Sequence, residues 1–400
     1  MNKAYKIIWS HTRNCYVVVS EIAKNHGKNN VRTIVEGLAA HTLAMAGRWA
    51  LPLVTAGLLL TPVTGWATEI TTNINGIVDS HGSVFDVYTQ KVVSGSSLGI
   101  NEFKKFNLDN GHIANMYFNQ KGQAVYVDNL VNLVKDRINV NGTINAIKNG
   151  RIDGNLYFLS PNGMAVGATG IINAGRFVAL APSSGYFDDL WGEGHENNVA
   201  NALKNDFNKF GTRETEGEKE GEFKSTKLEF NSGNAADEGI VIAGKINTRS
   251  GIVLGAGNIT IENGAVLKSD KNINFSSLVN TANVSGADFS GIDMTAVTED
   301  QSGDIILRAE TSHEFTNSPL LPGAETYDSV TNVNNSASVA VKGEISGDAG
   351  VDISAAARTT FNNKEWPGVS GLSDVGREFL NDLGIAVTAA WAIQIGRAHV

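Results

Sequence analysis

The stretch GTINA at residues 142–146 recurs as GIINA at 170–174 and GKINT at 244–248, and more weakly as GEISG at 343–347. A short phrase repeated along a chain indicates a solenoid of stacked coils. Glycine and asparagine supply turn conformations with positive φ, and asparagines at equivalent corners of successive coils can stack in hydrogen-bonded ladders. We therefore predict an all-β fold, a right-handed parallel β-helix with short additional strands outside the coils.

The rest of the chain after residue 68 supports this prediction. Runs of four to seven β-rich residues, such as 123–127, 239–243 and 304–307, alternate with turns rich in Gly, Asn and Asp. The core of a narrow coil takes small or β-branched residues and needs no large aromatic cluster. An antiparallel β-sandwich is the alternative fold, because strands of this length with glycine turns also suit it.

One segment interrupts the alternation of short strands and turns. Residues 188–229 are rich in Glu, Lys, Gly and Asn, and include ETEGEKEGE at 214–222. A run of charges is usually a solvated face, so we interpret 188–238 as a charged, solvated excursion from the solenoid, with a short helix near 197–210. A functional loop is the alternative.

The first 67 residues have the pattern of a cleaved, helical leader. Arg48 precedes an apolar run at 50–60, which has the length of a signal-peptide core and is too short to span a bilayer stably. Small residues flank Trp66, so we predict cleavage between Ala67 and Thr68. A buried core helix is the alternative interpretation of the apolar run.

Charge and cysteine content limit the function classes. The leader carries a net charge of +5 and the whole chain −9, so the remainder carries −14. An acidic chain argues against nucleic acid or anionic lipid as the main partner. Cys15, the single cysteine, lies in the leader, which leaves no disulfide framework or thiolate metal site after cleavage. A chain that crosses an outer membrane unfolded benefits from having no disulfide.

The beginning of the leader, MNKAYKIIWSHTRNCYVVVSEIAKNHGK at residues 1–28, resembles the extended signal peptide region of large autotransported and two-partner-secreted proteins. We assign 1–28 to this extension and 29–67 to a conventional signal peptide. The resemblance implies a diderm bacterium, a large exported passenger and slowed export through the inner membrane.

A second resemblance begins at residue 98 with LGINEFKKFNL. It is similar to the two-partner-secretion domain at the N-terminus of filamentous haemagglutinin-like exoproteins, with Asn101, Phe103, Phe106 and Asn107 at the family's positions. The serine that the family usually carries within this motif does not stand in its usual place.

The same family has an Asn-Pro-Asn-Gly-Ile motif, and here Ser160, Pro161, Asn162 and Gly163 stand at its first four positions. Ser160 replaces the first asparagine of the motif. Pro-Asn-Gly also forms turns by itself, so a simple coil corner is the alternative interpretation. The family's other motif, Asn-Pro-Asn-Leu, is not evident.

The resemblance implies a function in export and adhesion. Such a domain is recognised in the periplasm by a partner outer-membrane β-barrel transporter, and the chain then folds outside and becomes a secreted or cell-surface adhesin. A host-cell receptor or glycan is a further candidate partner. On this interpretation 68–187 is the secretion domain, 239–390 holds β-helical repeats, and 391–400 is a foreign or truncated end, since IGRAHV at 395–400 resembles translated sequencing adapter.

Enzyme motifs are weak. Residues 95–99 match the Gly-x-Ser-x-Gly nucleophile elbow, but the elbow needs a strand before it and a helix after it. The histidines after the leader are scattered without metal-ligand spacing. We predict no catalytic, metal or cofactor site, and keep a β-helical polysaccharide-degrading enzyme as the alternative function.

Overall fold

The structure is a computed structural model that describes residues 5–10, 15–20, 68–72, 77–217, 219–231, 239–279, 289–295, 303–317 and 336–363. The chain divides into two compact units, Met1–Thr64 and Gly65–Val400.

The first unit contains an antiparallel hairpin of β1 (Tyr5–Ser10) and β2 (Cys15–Ser20), in which Tyr5 pairs with Ser20 and Ser10 with Cys15. The predicted helical leader is therefore wrong for these residues. Both strands are rich in β-branched residues, which pack better on a pleated sheet than in a helix. The apolar run at 50–60 and Ala67 lie outside the described residues, so the cleavage site stays a prediction.

The strands of the second unit, in the described residues, are β3 (Glu69–Thr72), β4 (Val78–His81), β5 (Val84–Tyr88), β6 (Lys91–Val92), β7 (Leu98–Leu108), β8 (Ile113–Tyr117), β9 (Asn129–Val134), β10 (Ile138–Val140), β11 (Thr143–Lys148), β12 (Arg151–Ile152), β13 (Asn155–Leu159), β14 (Met164–Val166), β15 (Ile171–Ala174), β16 (Arg176–Leu180), β17 (Ile240–Ile242), β18 (Lys245–Thr248), β19 (Ile252–Ala256), β20 (Asn258–Ile261), β21 (Val266–Ser269), β22 (Ile305–Asn317), β23 (Ser338–Val341), β24 (Glu344–Gly347) and β25 (Val351–Asn363).

These strands form three parallel ribbons, which we call the first, second and third faces. The first face is β5-β8-β11-β15-β18-β21-β24. The second is the start of β7 followed by β9-β13-β16-β19-β22-β25. The third is the end of β7 followed by β10-β14-β17-β20-β23. The chain visits the faces in this order, once per coil, which confirms the parallel β-helix and excludes the β-sandwich. The right-handed sense stays a prediction.

Antiparallel strands cover the edge of the first coil. β3 and β6 pair with β7, and β4 pairs with β5. A further short strand, β12, folds back on β11. The predicted additional strands are therefore present. An edge that already has neighbours does not template pairing with another chain.

The glycine of the repeated phrase is required by the close approach of successive coils. A Cβ atom on Gly142 would lie 2.4 Å from the carbonyl oxygen of His112, and one on Gly170 would lie 2.3 Å from that of Val140. On Gly244 it would lie 2.2 Å from the carbonyl oxygen of Gly170. Carbon and oxygen atoms that are not bonded do not approach so closely, so only glycine fits where the third face turns into the first.

The isoleucine of the phrase forms the core. Ile144, Ile172 and Ile246 are fully buried, and they stand opposite one another in consecutive strands of the first face. Burial of one such side chain stabilises the fold by about 1.5–3 kcal/mol. The repeat thus places one isoleucine in each of three consecutive coils, in a continuous column.

The core also contains an aromatic column. Phe103 and Phe106 pack edge to face with ring centroids 5.2 Å apart, and Phe158 lies 5.1 Å from Phe106 and 6.4 Å from Phe177. All four rings are fully buried. A narrow coil does not require aromatic side chains, but here four of them fill this part of the core.

A long excursion leaves the solenoid after β16 and returns at β17. It contains α1 (Ser184–Asp188), α2 (Glu196–Ala202), a π-helical turn at Leu203–Phe207 and α3 (Asn208–Phe210). These bounds confirm the short helix predicted near 197–210.

The excursion is only partly solvated. Its apolar side chains pack on outward-facing residues of the second face, and the buried ones from the excursion are Phe187, Leu190, Val199, Ala202, Leu203, Phe207, Phe210, Leu228 and Phe230. The described residues of the acidic tip, 216–217 and 219–222, are exposed. The prediction of a solvated segment holds for this tip and is wrong for the helical part, because its apolar side chains recur with helical spacing and form a second core.

Polar contacts tie the excursion to coils far apart in the solenoid. Towards the first coil, Lys91 lies 2.6 Å from Glu196, and the amide of Gly192 donates to Glu102 at 2.9 Å. Towards the last coils, Arg213 pairs with Asp352 of β25. The excursion therefore spans the second face from the first coil to the seventh.

Arg308 of β22 makes the central contact of the excursion with the later coils. Its Nη1 donates to the carbonyl oxygen of Phe210 at 2.6 Å, and its guanidinium lies 4.4 Å from the ring of Phe210 and 4.5 Å from that of Phe223. Burial lowers the pKa of Arg308, which Glu310 partly counteracts. A buried guanidinium with two ring contacts fixes the end of the helical segment on the sixth coil.

Candidate functional site

The first predicted secretion motif lies on β7 and is buried. The Oδ1 of Asn101 accepts a hydrogen bond from the amide of Gln90 at 2.7 Å, and its Nδ2 donates to Asn132 in the next coil at 3.0 Å. Asn107 accepts a bond from Asn139 of the next coil at 2.8 Å. Both asparagines therefore hold the first coil to the second. Gln90 has no motif around it, so sequence reasoning could not find it.

The second predicted motif forms the corner between the second and third faces of the third coil. The amide of Gly163 donates to the carbonyl oxygen of Ser160 at 3.0 Å, which closes a β-turn with Pro161 at its second position. Gly163 has φ +77°, a conformation that favours glycine. Residues 160–163 therefore form a coil corner, and their role in secretion stays a prediction.

The polar side chains of this corner bind the corner of the preceding coil. Ser160 Oγ donates to the carbonyl oxygen of Asp136 at 2.9 Å, and Asn162 Nδ2 donates to that of Lys135 at 2.7 Å. The amide of Lys135 in turn donates to the carbonyl oxygen of Phe103 at 3.0 Å. The structure thus brings the two motifs together in one column of corners, which we call the corner column.

The excursion also begins at this corner column, in the fourth coil. The Nζ of Lys135 lies 4.8 Å from the ring centroid of Trp191, a residue of the excursion. The motif residues are therefore shielded in the folded chain by the core, by the neighbouring corners and, in part, by the excursion. Among the eight predicted motif residues, Asn162 alone is exposed.

An asparagine ladder runs along the first face. Asn115 donates to Asp86 at 2.9 Å, Asn145 to Asn115 at 3.2 Å, and Asn173 to Asn145 at 2.9 Å. The next member, Asn247, donates to Asn173 at 3.0 Å. The predicted ladder is therefore present, although its members lie within strands and not at corners.

Replacing Asn145 with alanine is expected to destabilise the fold by about 2 kcal/mol, because Asn115 Oδ1 would be left buried without its donor. Urea unfolding of the full chain measures the change. Asn197→Ala, at an exposed helical position, is the matched control and is expected to change the midpoint little. Equal shifts for the two variants would show that the ladder contributes nothing.

The nucleophile-elbow match lies in the turn between β6 and β7. Ser96 Oγ donates to the carbonyl oxygen of Val93 at 2.9 Å, and Ser97 Oγ donates to Asp128 at 2.7 Å. Strand β7 follows, where the elbow requires a helix. Within the described ranges no three His, Cys, Asp or Glu side chains are grouped as a metal site.

In the described parts of the chain, no helix has the length and apolar character needed to cross a membrane.

Comparison with known proteins gives two similarities. Residues 1–50 match the family model described as the extended signal peptide of the type V secretion system, which confirms the resemblance of the leader. Over 95 residues the chain is 38% identical to the autotransporter adhesin AIDA-I of Escherichia coli. The aligned part covers 24% of this chain and 6% of that protein, so the chain corresponds to a small part of this relative. The two similarities indicate export to the surface of a Gram-negative bacterium.

Proposed function

We propose that this chain is the N-terminal part of a filamentous haemagglutinin-like secreted adhesin, exported through a partner outer-membrane β-barrel of the two-partner-secretion type. The observation that carries the proposal is the corner column, in which the two secretion-motif stretches, in the first and third coils, both bond to the corner of the second coil. The type V leader and the similarity to an adhesin support the same function.

The burial of the motifs limits the time at which the partner transporter can bind them. Asn101, Phe103 and Phe106 are fully buried after folding, so a receptor domain reaches them only while the chain is unfolded. The same side chains then join the first two coils outside the cell. One set of residues thus serves recognition first and nucleation of the β-helix afterwards.

Coil addition then supplies direction to export. Each coil contacts mainly its neighbours, so the solenoid grows from the capped first coil as residues emerge. A folded coil is too wide to slide back through a pore, and no nucleotide is needed. The acidic remainder, at −14, suits a solvated surface without nucleic acid as a partner.

The test is secretion of the full chain with its own leader, with and without the cognate partner barrel. We expect the protein in the medium only when the partner is present, and we expect the Asn101→Ala, Asn162→Ala double variant to remain in the cell.

The matched control is Asn145→Ala, which also removes a buried asparagine that links two coils but lies outside the motifs. If it blocks export as strongly as the double variant, loss of folding and not of recognition explains the result. Release without the partner would contradict the two-partner route. Polysaccharide hydrolysis by the released chain would favour the enzyme alternative.

A further inference from the structure

The outer side of the excursion carries a groove of about 620 Å³, and most of the residues that line it have polar side chains. One wall is the helical segment, with Asn198, Asn201, Asn205 and Lys209 along it. The other wall is the extended segment at 225–227. This volume lies within the usual range of ligand sites.

The helical wall has a composition that a helix does not favour. Five asparagines lie between residues 197 and 208, and asparagine is a poor helix former because its side chain competes for backbone hydrogen bonds. Asn208 accepts a bond from Tyr157 at 2.8 Å, and Asn198 donates to the carbonyl oxygen of Asp189 at 2.8 Å. In the part of the chain that the structure describes, the side chains of Asn201 and Asn205 have no hydrogen-bond partner.

A π-helical turn occupies the same wall at Leu203–Phe207. Such turns are uncommon and occur frequently at functional sites. The segment thus departs from ordinary helix preferences in two ways: it is rich in asparagine, and it contains a π-helical turn. Disagreement of this kind is expected where side chains are kept for binding and not for stability.

Hydrogen bonds connect the two walls at the floor of the groove. The hydroxyl of Tyr186 donates a hydrogen bond to Asp206 Oδ2 at 2.7 Å, and Asp206 Oδ1 accepts one from the amide of Lys227 at 2.9 Å. Asp206 is only 6% exposed. Burial and the bond to Asp206 raise the pKa of Tyr186, so the phenol stays protonated and keeps donating. Asp206 thereby links the helical wall to the extended wall.

The chemistry of the lining indicates the ligand class. Two carboxylates, Asp189 and Asp206, are balanced by Lys209 and Lys227, so the groove has no net charge to select an ion. Free amide groups both donate and accept hydrogen bonds, as vicinal hydroxyl groups do. We propose that this groove binds a neutral oligosaccharide through Asn201 and Asn205. The inference rests on the proposed adhesin function, for which it supplies a ligand class and a site.

The test is binding of the purified full chain to a broad array of neutral and acidic glycans, with unstructured peptides printed beside them. We expect binding to a neutral glycan. Loss of two hydrogen bonds at about 1 kcal/mol each predicts an affinity at least about tenfold lower for the Asn201→Ala, Asn205→Ala double variant.

The control is Asn197→Ala, the same substitution on the same helix at a position that does not line the groove. It is expected to bind as the unmodified chain does, and unfolding midpoints establish that all variants are folded. Absence of glycan binding, or equal binding by the double variant, would overturn the proposal. Binding to peptides alone would assign the groove to a peptide ligand instead. Secretion of the double variant is expected to be normal, so failure here leaves the export proposal separately testable.

Discussion

Replacing Gly244 with alanine is expected to lower the free energy of unfolding by about 3 kcal/mol or more. The new Cβ atom would lie 2.2 Å from the carbonyl oxygen of Gly170 and 2.4 Å from that of Gly167. Both are backbone atoms of the preceding coil, so no side chain can rotate away. Relief requires the fourth and fifth coils to move apart, which weakens the strand pairing on either side of the corner.

Urea unfolding of the full chain measures this effect. The matched control is Gly185→Ala, because a Cβ atom there meets nothing within 4 Å and neither glycine has a positive φ. This control is expected to be neutral or slightly stabilising, since alanine restricts the unfolded chain. If Gly244→Ala is as stable as Gly185→Ala, the close contact between coils does not require glycine at position 244.

Replacing Phe158 with alanine is expected to destabilise the protein by about 3–5 kcal/mol. Phe158 is fully buried between Phe106 of the first coil and Phe177 of the fourth, with ring centroids 5.1 and 6.4 Å away. Truncation removes both ring contacts and leaves a cavity. The surrounding coils cannot collapse into it, because their separation is fixed by the strand ladder.

Phe158→Leu is the control, since it keeps most of the volume and is expected to cost about 1.5 kcal/mol or less. Amide hydrogen exchange would locate the effect, with the largest loss of protection in β7, β13 and β16. A uniform loss in all coils, or equal costs for the two substitutions, would contradict a local role of the aromatic column.

The local rules of the coil could be predicted from the sequence. The repeated phrase places glycine, isoleucine and asparagine at fixed positions, and each has a separate physical task in the third, fourth and fifth coils. The ladder through Asn145 and Asn173 follows directly, because a repeated phrase in stacked coils brings equal residues opposite one another. The turn at Pro161 could also be predicted, because it depends only on residues adjacent in the sequence.

Contacts that depend on the length of intervening loops could not be predicted. Phe106 and Phe158 stand at unrelated positions in the sequence and meet only because the corners of the first and third coils superpose. The backbone acceptors of Ser160 and Asn162 depend on the same register. The burial of apolar residues in the helical segment, among them Phe207 and Phe210, was not predicted, because the acidic run that follows indicated a solvated segment.

The excursion gives this solenoid a mechanical property. In the first coils, links between neighbours join residues about 30 positions apart, as Asn145 and Asn115 are, whereas Arg213 and Asp352 lie 139 positions apart. A solenoid with nearest-neighbour links alone can be peeled one coil at a time by a pulling force. Here a force on the seventh coil is carried through the excursion to Lys91 at the first. Under load, the coils should therefore hold together up to one common rupture force instead of yielding one after another.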